Sequence, residues 1–133
     1  MRSIKHTSLT HAQLLAEIRY SPDNGIMYRR VNSRWVVTGF VRPGGAIQVD
    51  VGGHTFPAAE LTWFYVHGVW STESVRHLNG VRYDNRITNL VECPDSEIDP
   101  DGDFDPRGAT AAFAFRKEAQ AQVDADYRLL RPA

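Results

Sequence analysis

Apolar positions recur along the chain in two rhythms. One matches helices at both ends and one in the middle; the other matches short strands between them. Near the start, Leu14, Leu15 and Ile18 share a helical stripe, with Thr10 placed to cap it. Tyr20-Ser21-Pro22-Asp23-Asn24-Gly25 is turn chemistry, and Ile26-Met27-Tyr28 a short strand after it. Residues 31–34 read as a loop. Trp35-Val36-Val37 and Phe40-Val41 read as strand pieces broken at Gly39. After the turn at Pro43-Gly44-Gly45, the segment from Ala46 to Val51 alternates as a half-buried strand should. Gly52-Gly53 suits a two-residue hairpin returning through His54-Thr55-Phe56.

Pro57 can open a helix, and Leu61, Trp63, Phe64, Tyr65 and Val66 make that helix apolar on most sides. It is expected to be the central buried helix, ended by Gly68, with Trp70 packing on the core. The stretch from Val75 to Leu90 organises the rest. It begins as a short strand carrying His77 and turns at Asn79-Gly80, a pair suited to positive φ. It then predicts a short polar helix with Asp84 as N-cap and Ile87 and Leu90 inward. Such a strand–turn–helix holds a histidine on one arm opposite an asparagine on the other. Val91-Glu92-Cys93 reads as a returning strand stopped at Pro94. Residues 109–130 are helix-favouring, with Ala112, Phe115, Ala119, Val123 and Tyr127 in an i, i+3/i+4 rhythm. The fold class is α+β: a small antiparallel sheet region, a central helix, the strand–turn–helix unit and a C-terminal helix.

Charge divides the chain where the apolar rhythm lapses. The net charge of −1 hides +3 over residues 1–93, −6 over residues 94–105 and +2 over residues 106–133. The expected organisation is a domain over residues 1–94, an acidic Pro/Gly linker or loop over 95–108, and an amphipathic helix over 109–133. The alternating acids of the linker include Asp99, Asp101 and Asp103. They resemble a calcium loop, but prolines interrupt it and the far glutamate is missing. They also suit a solvated linker or a mimic of nucleic acid aimed at a partner protein. The mildly basic remainder permits nucleic-acid contact without demanding it. A single cysteine, Cys93, excludes an intramolecular disulfide and fits a reducing compartment. No apolar run is long enough to span a membrane, so the expected compartment is the cytoplasm, with no membrane partner.

From Leu9 to about Glu97 the order of features resembles the phage-type HNH homing endonucleases. The resemblance rests most on His77-Leu78-Asn79-Gly80 and on Asp84-Asn85-Arg86-Ile87-Thr88-Asn89-Leu90. It implies a ββα-metal (HNH) unit in which the strand histidine is the general base and a helix asparagine orients it. Those positions are His77 and Asn89. A divalent cation, Mg or Mn, would be held by an Asp just before the histidine and by an Asn or His beyond the orienting asparagine. Here Arg76, a fixed cation, takes the first place and about Ile98 the second. A His-Arg pair that opens the central helix in the family is Ala59-Glu60, and an acidic position after the Asn-Gly turn is Val81.

These departures imply a degenerate member that expects no cofactor unless it is still active. Three functions follow. The first is a binding protein that modulates or inhibits a host protein in an infected bacterium, using Asp99, Asp101, Asp103, Phe113 and Phe115. The second is a protein that binds double-stranded DNA without cleavage, using Arg29, Arg30, Arg34, Arg42, Arg82 and Arg86; Arg76, Arg82 and Arg86 are the candidate phosphate or partner contacts. The third is an active nicking enzyme using His77 and Asn89. Oligomeric state is open at this level.

Overall fold

The computed structural model describes residues 9–94 and 108–130, the last five as backbone only. The chain is α+β, with three small antiparallel sheets and three α-helices among the described residues. Helix α1 (His11–Glu17) is closed at its start by a reciprocal capping box between Thr10 and Gln13. It ends at Ile18, which belongs to strand β1 (Ile18–Ser21). The expected stripe is therefore only partly realised. Leu14 is buried, Ile18 is buried from a strand, and Leu15 faces outward at 47% exposure.

Strand β1 pairs with β2 (Ile26–Val31), and β2 with β3 (Arg34–Val37). The segment expected as a loop at residues 31–34 is instead the tip of the β2–β3 hairpin. Val31 pairs with Arg34, and Asn32 and Ser33 both take positive φ, at 50° and 68°. Two left-handed residues without glycine are an uncommon hairpin turn, so the local signal was weak. The second sheet runs β4 (Phe40–Val41), β5 (Ile47–Val51) and β6 (His54–Pro57), with Gly52-Gly53 at the expected hairpin turn.

Helix α2 (Ala58–His67) packs on this second sheet, and Pro57 is its cap rather than its first turn. Ala58, Ala59, Leu61, Thr62 and Phe64 are buried, whereas Val66 is exposed, so the helix buries one side although apolar residues lie on most sides. Gly68 ends it in the left-handed conformation. Trp70 stacks 4.1 Å from the Phe64 ring and 5.4 Å from Phe56, which fixes the chain leaving α2. Strands β7 (Ser74–His77) and β8 (Leu90–Cys93) form the third sheet, with His77 opposite Leu90.

Helix α3 (Gly108–Leu130) docks on the described core. Ala112 belongs to the main core cluster, which also holds Leu61 and Phe64. Ala119 joins Ile26 and Tyr28 in a second cluster, with Trp35, Val37, Phe115 and Val123 packed against it. The first sheet thus packs against the main core on one face and is partly covered by α3 on the other. Ile18, Tyr20 and Met27 point into the main core, while Ile26 and Tyr28 point to α3. At its start α3 touches the 3-10 turn over Pro43–Gly45 so closely that a Cβ on Gly108 would overlap the Gly44 carbonyl. Phe113 is exposed, but Phe115 is not a free apolar face: its ring packs 5.3 Å from Tyr83. Ile98 and the acidic group Asp99, Asp101 and Asp103 lie outside the described residues.

Candidate functional site

The β7–β8 sheet carries His77 at the last position of β7, where the chain leaves for a loop over residues 78–89. The helix expected from Asp84 is reduced to one 3-10 turn, Ile87–Asn89, capped by Arg86. The cause is the number of amide side chains that take loop backbone as partners. Asn79 Oδ1 accepts from the Val81 N–H at 2.9 Å, and Asn89 Oδ1 accepts from the Asn79 N–H at 3.1 Å. Asn89 Nδ2 donates to Asn79 Oδ1 and to the Asp84 carbonyl, both at 2.9 Å. Those bonds satisfy the backbone without a helical ladder.

Asn89 is therefore committed to bracing the loop, and the amide at His77 is Asn85. His77 Nε2 lies 2.7 Å from Asn85 Oδ1. Because an amide oxygen only accepts, Nε2 carries the proton and Nδ1 keeps the lone pair. This corrects the expected His77–Asn89 pairing. Asn89 acts at one remove, by holding the loop from which Asn85 projects. Asn85 is itself fixed from a distant strand. Tyr20 Oη donates to the Asn85 carbonyl at 2.7 Å and accepts from the Ile87 N–H at 2.8 Å. Gly25, at φ +74°, lies against the same backbone, where any Cβ would overlap Asn85 and Arg86. Tyr20 and Gly25 were invisible as site residues because the contact spans 65 positions.

Electrostatics at the site favour a neutral imidazole. Burial pushes the His77 pKa below its usual 6.5, opposed by the Asn85 bond and the Asp84 charge and aided by Arg82. The carboxylate of the His77 loop, Asp84, is gripped by Arg86 through Nε at 2.8 Å and Nη2 at 2.7 Å. It also accepts from Asn79 Nδ2 at 2.8 Å. The Arg86 bond, with Asn79 helping, holds its pKa below the usual carboxylate value despite partial burial. Arg82 is half-buried beside this loop.

Arg76, opposite Val91, precedes His77 on β7 and so projects from the other face of the sheet. Ala59 is buried in α2, and Glu60 lies half-buried in its first turn. Among the described residues no group of three or more His, Cys, Asp or Glu side chains converges as a metal centre. The donors present beside His77 are amides already in use and a carboxylate already paired. That set does not fit a divalent cation. What the arrangement can do is present a held, neutral imidazole with one free nitrogen, among arginines.

With that geometry in place, comparison with known proteins is specific over one segment. A family model described as HNH endonuclease matches residues 60–98. The match runs from the first turn of α2 through β7, the His77 loop and β8. It is narrower than the resemblance expected from Leu9 onward. No curated protein and no solved structure matches the chain significantly. Among the described residues no helix is long and apolar enough to cross a membrane.

Proposed function

From the HNH-endonuclease relationship of residues 60–98, we propose that this protein binds nucleic acid and does not cleave it by a metal-dependent route. The observation that carries this reading is the capture of Asp84 by Arg86 and Asn79 beside His77. Phosphodiester hydrolysis needs a base and a cation that offsets charge on the phosphate and the leaving oxygen. His77 can serve as a base, but the nearby carboxylate that could hold a cation is neutralised by a guanidinium. Arg76 on β7 and Arg82 in the loop add positive charge around the hairpin, which suits phosphate contact more than cation binding.

The test is incubation of supercoiled plasmid with magnesium or manganese, run beside a mobility shift on duplex and single-stranded DNA. We expect no nicking and a salt-sensitive shift. Metal-dependent nicking that disappears in His77→Ala would overturn the loss of cleavage. The absence of any shift at low salt would overturn nucleic-acid binding. A protein partner is a second reading, favoured by the exposure of Phe113 at 60% and Leu78 at 63%. It requires a single captured partner whose binding is lost in Phe113→Asp or Leu78→Asp.

A further inference from the structure

A groove lies away from His77, between the first sheet and α3. It encloses about 820 Å³, within the range of small-ligand sites. It follows from the pleat. Arg19 on β1 pairs with Tyr28, and Arg30 on β2 pairs with Trp35 on β3, so all four side chains share the face that α3 partly covers. Among the described side chains, the helix lines the groove with Ala119, Gln122 and Val123, and the groove is open to solvent beside Arg19 and Arg30.

Two arginines meet on one indole there. The Arg19 guanidinium carbon sits 4.6 Å from the Trp35 ring centroid and that of Arg30 sits 5.9 Å away. Stacking on an indole holds a guanidinium in place while leaving its in-plane N–H donors unused. Among the described residues neither arginine has a carboxylate partner; the ion pairs seen there belong to Arg34 and Arg86. Among the described lining residues Asp23 is the one acid against Arg19 and Arg30, a surplus of one positive charge. The remaining lining is mainly apolar, from Tyr28 and Val123 among others.

We propose that this groove holds a nucleotide unit of a single nucleic-acid strand, with its phosphates on Arg19 and Arg30 and its sugar and base on the apolar wall. The inference rests on the nucleic-acid reading above and gives it a place and a strand type. Positive charge on fixed planar donors is complementary to phosphate. A concave trough with aromatic flooring admits an unpaired strand and excludes a duplex, whose bases are turned inward. The His77 loop is not part of this groove, so the site is separate from the one inherited from the HNH segment.

The test is fluorescence anisotropy of a labelled 12-nucleotide single strand against the full chain and the double variant Arg19→Gln/Arg30→Gln. Both positions are exposed and glutamine retains much of each stem, so folding is expected to persist; circular dichroism checks it. Wild type should bind with a salt-dependent affinity. The double variant should bind about tenfold more weakly or worse, with its log–log salt slope shallower by about 1.4, the value for two lost phosphates on a single strand. Equal affinity in a folded variant would remove the groove as the site. If duplex binding by wild type persisted alongside that result, the general nucleic-acid reading would stand while this inference fell. Binding to neither form by wild type would end both. Competition by a free mononucleotide at the same concentration as the strand would make the occupant a nucleotide, and the strand assignment would fail.

Discussion

Tyr20 joins the first sheet to the loop that aims His77, and its phenol does so twice, as donor and as acceptor. Tyr20→Phe keeps the ring but strands the Asn85 carbonyl and the Ile87 amide. The expected cost is about 1–3 kcal/mol in urea denaturation. Burial pushes the Tyr20 pKa up to about 12, against the bond from Ile87. The folded chain therefore holds that proton more tightly than the unfolded one. Its contribution to stability is complete below pH 10 and is lost as pH rises toward 12, a loss absent in Tyr20→Phe.

The histidine runs the other way. Burial depresses the His77 pKa below 6.5, so the unfolded chain binds the proton more readily. Its contribution is complete above pH 6.5 and drains away as pH falls through the lower folded value. An NMR titration of the His77 ring should show a midpoint below 6.5. Removing the Asn85 bond, which pulls upward, should lower it further in Asn85→Ala. A midpoint unchanged in that variant would sever the link between the two side chains.

These residues also mark what the sequence could disclose. His77 and the amide-rich run after it were plain, but Asn79, Asn85 and Asn89 are chemically alike, and their spacing did not say which would face the imidazole. The structure selects Asn85 because the 3-10 turn places Asn89 under the loop. Nothing near Tyr20 hints at a partner 65 residues away.

At the scale of elements, legibility tracked local chemistry. The β5–β6 hairpin was clear because alternation and Gly52-Gly53 agree on one register. The β2–β3 hairpin was hidden because its turn is Asn32-Ser33. The helix at Asp84 failed to form because the Asn79 and Asn89 side chains take backbone partners, the competition that makes asparagine a poor helix former. Gly25 shows how tightly the turn after β1 is set on the His77 loop. Gly25→Ala meets both a left-handed φ and a filled space, so a loss of about 2 kcal/mol or more is expected in thermal or urea unfolding.

Helix α3 treats the open edge of β3 in a similar way. Gln120 Oε1 accepts from the Val37 N–H at 2.7 Å and its Nε2 donates to the Trp35 carbonyl at 3.2 Å, as a neighbouring strand would. One turn earlier, Arg116 donates to the Thr38 and Gly39 carbonyls, and one turn later Asp124 pairs with Arg34. Gln120→Glu keeps the acceptor but places a second oxygen against the Trp35 carbonyl. It should therefore destabilise at neutral pH by about 1–2 kcal/mol, and less once the carboxyl is protonated.

Over the whole molecule, α3 partly covers one face of the first sheet, and Ala112, Phe115, Ala119 and Val123 of its rhythm are the residues that meet the described core. What periodicity could not supply was the surface it would meet, since an apolar stripe fits a core and a partner equally well. A chain ending at Pro94 should leave Ile26 and Tyr28 uncovered, and should bind a hydrophobic dye and unfold at lower temperature than the full chain. An unchanged melting temperature without dye binding would make α3 an accessory.

The side chain of Gln120 also has a bearing on synthesis. It meets β3 across 83 residues of chain. At the usual pace of translation that interval takes about 4 to 17 s. Throughout it, a nascent chain carries a complete β1–β2–β3 ribbon whose outer rim has no lid. Ribosomes spaced closely along one message would bring such rims together, and bare rims pair with one another. Yield of properly assembled protein should thus depend on how fast translation covers this interval, falling when slow codons are placed between residues 94 and 120.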